Sequence, residues 1–129
     1  AKPMAEKIIE VGLAPVSEIY GSEVMLHYPG LYAGSTDLVC LHNDMETIVD
    51  FKQANRPKRE EWIEDYYLQI AAYAMAHNQM HGSHIRQGIL MICTPDSYYQ
   101  EFKIQDAELR GYMHKFLARL SQYYDQNKA

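Results

Sequence analysis

A chain of 129 residues with a hydrophobic fraction of 47% is long enough to bury one core and too short for two, so residues 1–129 are read as a single domain. A formal net charge of −5 excludes a uniformly basic nucleic-acid binder, but not a basic strip or a metal that offsets the acids. Two cysteines are too few for a disulfide scaffold or for the usual four-cysteine iron–sulfur cluster, and no run approaches the ~18 apolar residues of a membrane span.

In chain order, Met4 to Val11 predicts a short helix stopped by Gly12. Pro15 to Tyr28 is extended, with Val16, Ile19, Val24 and Leu26 as strand formers and an interruption at Gly21-Ser22. Pro29-Gly30 turns the chain back into a second strand, Leu31 to Leu41, and His42-Asn43-Asp44 turns it again into a third, Glu46 to Lys52. Three antiparallel strands in succession make a meander. Ala54 to Arg59 is a polar, basic loop. Glu60 to His81 has the periodicity of a long, largely covered helix, carried by Trp62, Tyr66, Gln69, Tyr73, Ala76 and Met80 and ended by Gly82-Ser83. Ile85 to Thr94 reads as a buried strand and Tyr98 to Ile104 as an edge strand. Asp106 is placed to cap a final helix to about Gln126, with Leu109, Met113, Phe116, Leu120 and Tyr123 as its stripe. The order αβββαββα is that of an α+β domain with one mixed sheet and helices against it. Cys40 and Cys93 fall in strand runs and are read as small buried thiols.

Two strands each deliver an acid, Asp37 and Asp50, and the second adds Lys52 two residues on. Alternation along a strand puts Ile48, Asp50 and Lys52 on one face and Phe51 on the other. The charges thus emerge at the end of an apolar strand. Two carboxylates and an ammonium at one sheet edge suit a hard divalent cation, Mg²⁺ or Mn²⁺. Gly34 relieves crowding near Asp37. Gln69 and Tyr73, four residues apart on the following helix, share a face that can point back to the strand ends.

Gly34-Ser35-Thr36-Asp37, Asp50-Phe51-Lys52 and Gln69-Ile70-Ala71-Ala72-Tyr73 together resemble the RecB-type branch of the PD-(D/E)XK nucleases, whose pattern is G-x-x-D, D-x-K and Q-x-x-x-Y in that order. That branch includes mitochondrial genome maintenance exonucleases and phage and bacterial relatives, and the resemblance spans roughly residues 15–125. It implies a restriction-endonuclease-like core and a metal-dependent exonuclease acting on single-stranded DNA or frayed ends, in DNA repair or recombination. By position, Asp37, Asp50 and the carbonyl of Phe51 would ligate the metal. Lys52 would orient or activate the attacking water, and Gln69 and Tyr73 would brace the site or touch the DNA backbone. The family also has an acid on the preceding strand, for which Glu18 and Glu23 both qualify. Glu23 is favoured by the hairpin and Glu18 by its Pro-Val-Ser-Glu context. Arg56, Lys58 and Arg59 beside such a site are read as phosphate contacts. A metal-binding histidine expected on an upstream helix has no counterpart before residue 15, so an upstream helix is expected to be missing from this chain or dispensed with.

Glu60, Glu61, Glu64 and Asp65 are read as favouring a helix N-terminus. Trp62, Tyr66 and Tyr67 are core candidates that double as base-stacking candidates. His77, His81 and His84 lack the His-Glu-x-x-His pattern and are read as exposed helix-end histidines rather than a zinc site. Two other functions fit the same residues: a non-catalytic DNA-binding or assembly module, and an endonuclease or resolvase. The compartment expected is the cytoplasm of a bacterial or phage-infected cell, or a mitochondrion, with no membrane partner. The sequence leaves oligomeric state open.

Overall fold

Asn43 and Asp44 close a tight hairpin, pairing His42 with Met45, by taking up positive φ angles, 51° and 63°. Their short polar side chains tolerate this left-handed region, and two such residues in succession match the twist of a two-residue hairpin. The computed structural model describes residues 11, 13–28, 32–54, 63–96 and 98–126. Residues 4–10 of the expected first helix, the Pro29-Gly30 turn, the basic loop and Trp62 lie outside these, as do Glu60 and Glu61.

Five strands form one sheet in the order β1-β2-β3-β4-β5: β1 (Val16–Tyr28), β2 (Tyr32–His42), β3 (Met45–Gln53), β4 (Gln87–Cys93) and β5 (Tyr99–Gln105). Neighbours run antiparallel except β3 and β4, which are parallel. A parallel pair needs a crossover, supplied here by helix α1 (Glu64–His81). A second helix, α2 (Asp106–Gln126), follows β5. The meander and the mixed sheet are as the sequence predicts. The break expected at Gly21-Ser22 is instead a register shift between Ile19 and Gly21, and β1 continues through it.

Helix α1 begins later than its acid-rich approach suggests. Ile63 has non-helical dihedrals and no side chain able to cap, so the first helical residue is Glu64. At the other end Gly82 adopts φ 64° and donates its N–H to Asn78 O at 2.9 Å, the left-handed stop that glycine takes without a Cβ penalty. Buried residues occupy most of its circumference, because the sheet lies on one side and α2 on another. Ile63, Tyr67, Ile70, Ala71 and Ala74 join Val39, Ile48, Leu90, Ile92, Ile104 and Leu109 in one core cluster. The opposite sheet face carries a second cluster of Leu38, Cys40, Val49, Ile89, Met91 and Cys93, edged by Phe51. Both cysteines are free and fully buried there, and burial pushes the Cys40 thiol up to about 11.

The edge strand β5 does not alternate cleanly. Tyr99, Glu101 and Lys103 line one face as a polar ladder, the Tyr99 hydroxyl donating to Glu101 (2.7 Å) and Lys103 pairing with it (3.1 Å). Such charges on an edge discourage pairing with another chain. In α2 only Leu109 of the expected stripe is fully buried, and Tyr123 is 59% exposed, so the Tyr-rich end is not core. The reason is direction. Lys115 reaches Glu64 and Arg119 reaches Asp65, so α2 runs back along α1 and its last turns pass beyond the first turn of α1. Asp106 opens α2 with its carboxylate held by Arg86 at 3.1 Å.

Candidate active site

The two-residue turn pairs His42 with Met45, and the ladder between β2 and β3 proceeds to Leu38↔Val49 and stops. The next pair in register is Asp37 and Asp50. From there β2 pairs only with β1, through Thr36, Ser35 and Gly34, while β3 pairs only with β4, through Asp50↔Leu90 to Gln53↔Cys93. The sheet therefore splits, and the two aspartates stand at the apex of the split.

Their carboxylates replace the missing ladder. The Phe51 N–H donates to Asp37 Oδ2 at 2.8 Å, and the Asp37 N–H donates to Asp50 Oδ1 at 3.3 Å. The Thr36 hydroxyl also donates to Asp50 Oδ1, at 3.0 Å. Each acid thus spends one oxygen on orientation, leaving Asp37 Oδ1 and Asp50 Oδ2 without a hydrogen-bond partner among the described residues. Two hard oxygens, each fixed through its twin, fit a divalent cation that keeps several waters and takes only one or two carboxylates. Among the described residues no three His, Cys, Asp or Glu groups cluster closely enough to hold a metal, so the two acids do not by themselves make a complete cage.

Asp50 is buried, at 5% exposure. Burial raises its pKa above the ordinary carboxylate range. The bonds from Asp37 N–H and Thr36 oppose that rise, the Asp37 charge adds to it, and the Lys52 ammonium opposes it. A carboxylate so placed is better satisfied with a cation beside it.

Lys52 lies on the α1 side of the sheet, as its parity with Asp50 predicts, with Nζ 5.6 Å from the centre of the Tyr66 ring. Phe51 packs into the opposite cluster. Gln69 and Tyr73 are joined, Gln69 Nε2 donating to the Tyr73 hydroxyl at 2.9 Å. Tyr73 in turn lies flush on Gly34: a Cβ there would sit 2.5 Å from Tyr73 Cε1. The glycine is required by the tyrosine, which locks α1 to β2 three residues before Asp37. The structure thus brings Asp37 and Asp50 together and places Asp50 and Lys52 on the α1 side of the sheet, while Tyr73 meets β2 at Gly34 and Gln69 is tied to it through the Tyr73 hydroxyl. Thr36 is a further member that the sequence reading missed. A hydroxyl residue next to a strand-end acid was the available signal.

For the upstream acid, β1 pairs Ser22 with Leu38 and Val24 with Thr36, so the backbone of residue 23 lies opposite Asp37. Glu18 pairs with Leu41, four residues farther along β2, and is exposed. The side chain of Glu23 and the basic residues Arg56, Lys58 and Arg59 lie outside the description.

The histidines differ from expectation in one member. His81 and His84 are exposed, but His77 is buried. The Ser83 hydroxyl donates to Asn78 Oδ1 at 2.8 Å, so its oxygen accepts from His77 Nδ1 at 2.7 Å. Burial, then the neighbouring His81, lowers the His77 pKa, keeping the ring neutral. These histidines lie toward the C-terminal end of α1, past Tyr73.

No protein-family model matches the chain, and no curated protein matches it. Solved structures do. The crystal structure of a candidate exonuclease from Eubacterium rectale aligns over 99% of this chain and 55% of its own length, with a TM-score of 0.62 and 13% identity. The fold is shared. A second structure, of SSO0001, aligns over 99% of this chain and 58% of its own, with a TM-score of 0.51 and 14% identity. An alkaline exonuclease from Laribacter hongkongensis gives a TM-score of 0.41 at 16% identity, too loose a likeness to carry an argument. The chain spans a little over half the length of the first two, and at such identities the likeness extends to fold and not to activity. Among the described residues no helix is long and apolar enough to cross a membrane.

Proposed function

We propose that this domain is a metal-dependent DNA exonuclease of the RecB type, hydrolysing phosphodiester bonds in single-stranded DNA or at frayed ends. The observation that carries the reading is the apex of the sheet split, where Asp37 and Asp50 each offer one oxygen without a partner among the described residues, with Lys52 two positions beyond Asp50 on the same strand. A fold shared with a candidate exonuclease supports it. Asp37 and Asp50 would hold Mg²⁺ or Mn²⁺, with the Phe51 carbonyl and an acid at position 23 as further ligands. Bound there, the metal supplies Lewis-acid polarisation of the phosphate and acidifies a water. Lys52 positions that water and offsets charge building on the phosphate. Gln69 and Tyr73 keep α1 in register with β2, and Arg56, Lys58 and Arg59 contact neighbouring phosphates.

The test is cleavage of end-labelled single-stranded DNA with Mn²⁺, Mg²⁺ or EDTA, by the wild type and Lys52→Ala. A ladder that needs metal and disappears in the variant is expected, and the labelled end gives polarity. Cleavage that persists in EDTA, or is equal in the variant, overturns the mechanism. Salt-sensitive binding without product under any divalent metal would instead mark a DNA-binding module. Cleavage of circular single-stranded DNA would mark an endonuclease.

A further inference from the structure

A cleft of about 480 Å³ runs between α1 and α2, lined by Tyr66, Leu68, Gln69, Tyr73, Phe116 and Arg119 among others. Three of these residues also border the candidate active site. Tyr66 carries the Lys52 ammonium near its ring, Tyr73 rests on Gly34, and Gln69 bonds Tyr73. The cleft therefore shares Tyr66 and Tyr73 with the surroundings of the candidate site. We propose that it is a base-stacking subsite, in which Tyr66, Tyr73 and Phe116 receive an unpaired base next to the phosphate under attack and Arg119 takes an adjoining phosphate. The proposal rests on the nuclease reading for the location of that phosphate.

Two features of the cleft point to this occupant. Its surface is mainly aromatic and aliphatic, contributed from both helices, and stacking on aromatic rings accepts every base, which suits sequence-independent binding. A base within a duplex is already stacked on both faces and has none to offer. At its end Arg119 stands beside Asp65, which also lines the cleft, so a phosphate would take Arg119 by displacing that carboxylate. Arg119 and Lys115, one turn apart on α2, are held by Asp65 (3.3 Å) and Glu64 (3.2 Å) in exposed pairs. Arg119 is 59% exposed and Asp65 90%, so water weakens the pair and a phosphate can replace the carboxylate. Neither Phe116 nor Arg119 belongs to the three sequence motifs. Both are brought to the site only by the antiparallel course of α2 along α1.

The experiment measures equilibrium binding of a single-stranded oligonucleotide with Ca²⁺ as the metal, so that no turnover is required. Abasic residues are introduced one position at a time, and wild type is compared with Phe116→Ala and Phe116→Trp. In the wild type, one abasic position is expected to weaken binding about tenfold, the scale of one stacked base. Phe116→Ala should weaken binding of the intact strand by a similar factor and add nothing on the strand carrying that abasic position, while Phe116→Trp retains discrimination. Equal weakening of intact and abasic strands by Phe116→Ala, or no sensitive position in the wild type, overturns the subsite. Cleavage without that pattern removes the subsite and leaves the nuclease reading intact. The pattern without any cleavage leaves the subsite as a binding site and removes the nuclease reading.

Discussion

Replacing Asp50 with asparagine is expected to abolish cleavage and, at the same time, to make the metal-free protein more heat-stable. The two effects have one cause. The buried carboxylate is a ligand only when ionised, and ionisation is what burial opposes. Loss of a single charge-stabilising group in an active site costs roughly 10²–10³ in rate, and loss of one of the two acids proposed to hold the metal should reach at least that scale. Asparagine still accepts from the Asp37 N–H and the Thr36 hydroxyl through its amide oxygen, so the apex stays assembled. A carboxyl whose folded pKa lies above its unfolded value contributes stability that is fully present below the unfolded pKa. That contribution is lost as pH rises through the folded one. The Tm of Asp50→Asn should therefore exceed that of wild type at neutral pH, with the gap closing as the pH is brought down into the carboxylate range. Mn²⁺ should raise the wild-type Tm and leave the variant unmoved, since a ligand stabilises only a state that binds it. Thermal melts of both proteins at several pH values, with and without Mn²⁺, check every part. An equal Mn²⁺ shift in the variant would mean that Asp50 does not hold the metal.

The second large effect is expected from a single methyl group at Gly88. A Cβ there would lie 2.2 Å from Ile70 Cγ2, between a central strand and a helix that are both fully buried at the contact. Neither side can yield without moving α1 off the sheet. Overpacking of this kind costs about 1–3 kcal/mol, and a clash this far inside contact distance belongs toward the upper end. In a domain of this size that lowers Tm by roughly 4–12 °C. Ile70→Leu removes the methyl branch from Cβ and should recover much of the loss in the double variant. The two substitutions are then strongly non-additive, as residues in direct contact are. Urea denaturation of the two single variants and the double variant measures this directly. Additive losses would mean that Gly88 matters for its own backbone and not for Ile70.

Several of these contacts could be read in the sequence. Asn43-Asp44 named a tight turn, and a two-residue turn that pairs 42 with 45 also places 37 opposite 50, so the meeting of the two acids follows from counting. Gly34 and Tyr73 stood in recognisable motifs, although the reason for the pairing, a ring lying on a bare Cα, is a tertiary fact. Other features left no local trace. The split of β2 from β3 occurs where both segments have ordinary strand residues, and each simply keeps a different partner. His77 resembles His81 in sequence, and what separates them, burial and a bond to the Ser83–Asn78 pair, is a tertiary fact. The stripe on α2 was periodic, but periodicity reports that a face is apolar and not how far the partner helix extends beneath it. That is why Tyr123 projects past α1 into solvent. Thr36 stands beside a strand-end acid in the sequence, but the carboxylate its hydroxyl serves lies 14 positions away, so its neighbour shows the hydroxyl and not its partner.

The way the two aspartates are held has a consequence for how this site can change over generations. Their orientation comes largely from main-chain amides, those of Phe51 and Asp37, which every amino acid except proline possesses. Substitution at position 51 can alter the packing on the far side of the sheet while leaving the donor to Asp37 in place. Apart from Thr36, whose hydroxyl also holds Asp50, these donors survive a change of side chain, so this part of the geometry is inherited through strand register instead of through residue identity. A scaffold of this kind can diverge until little but its acids and its course remains alike.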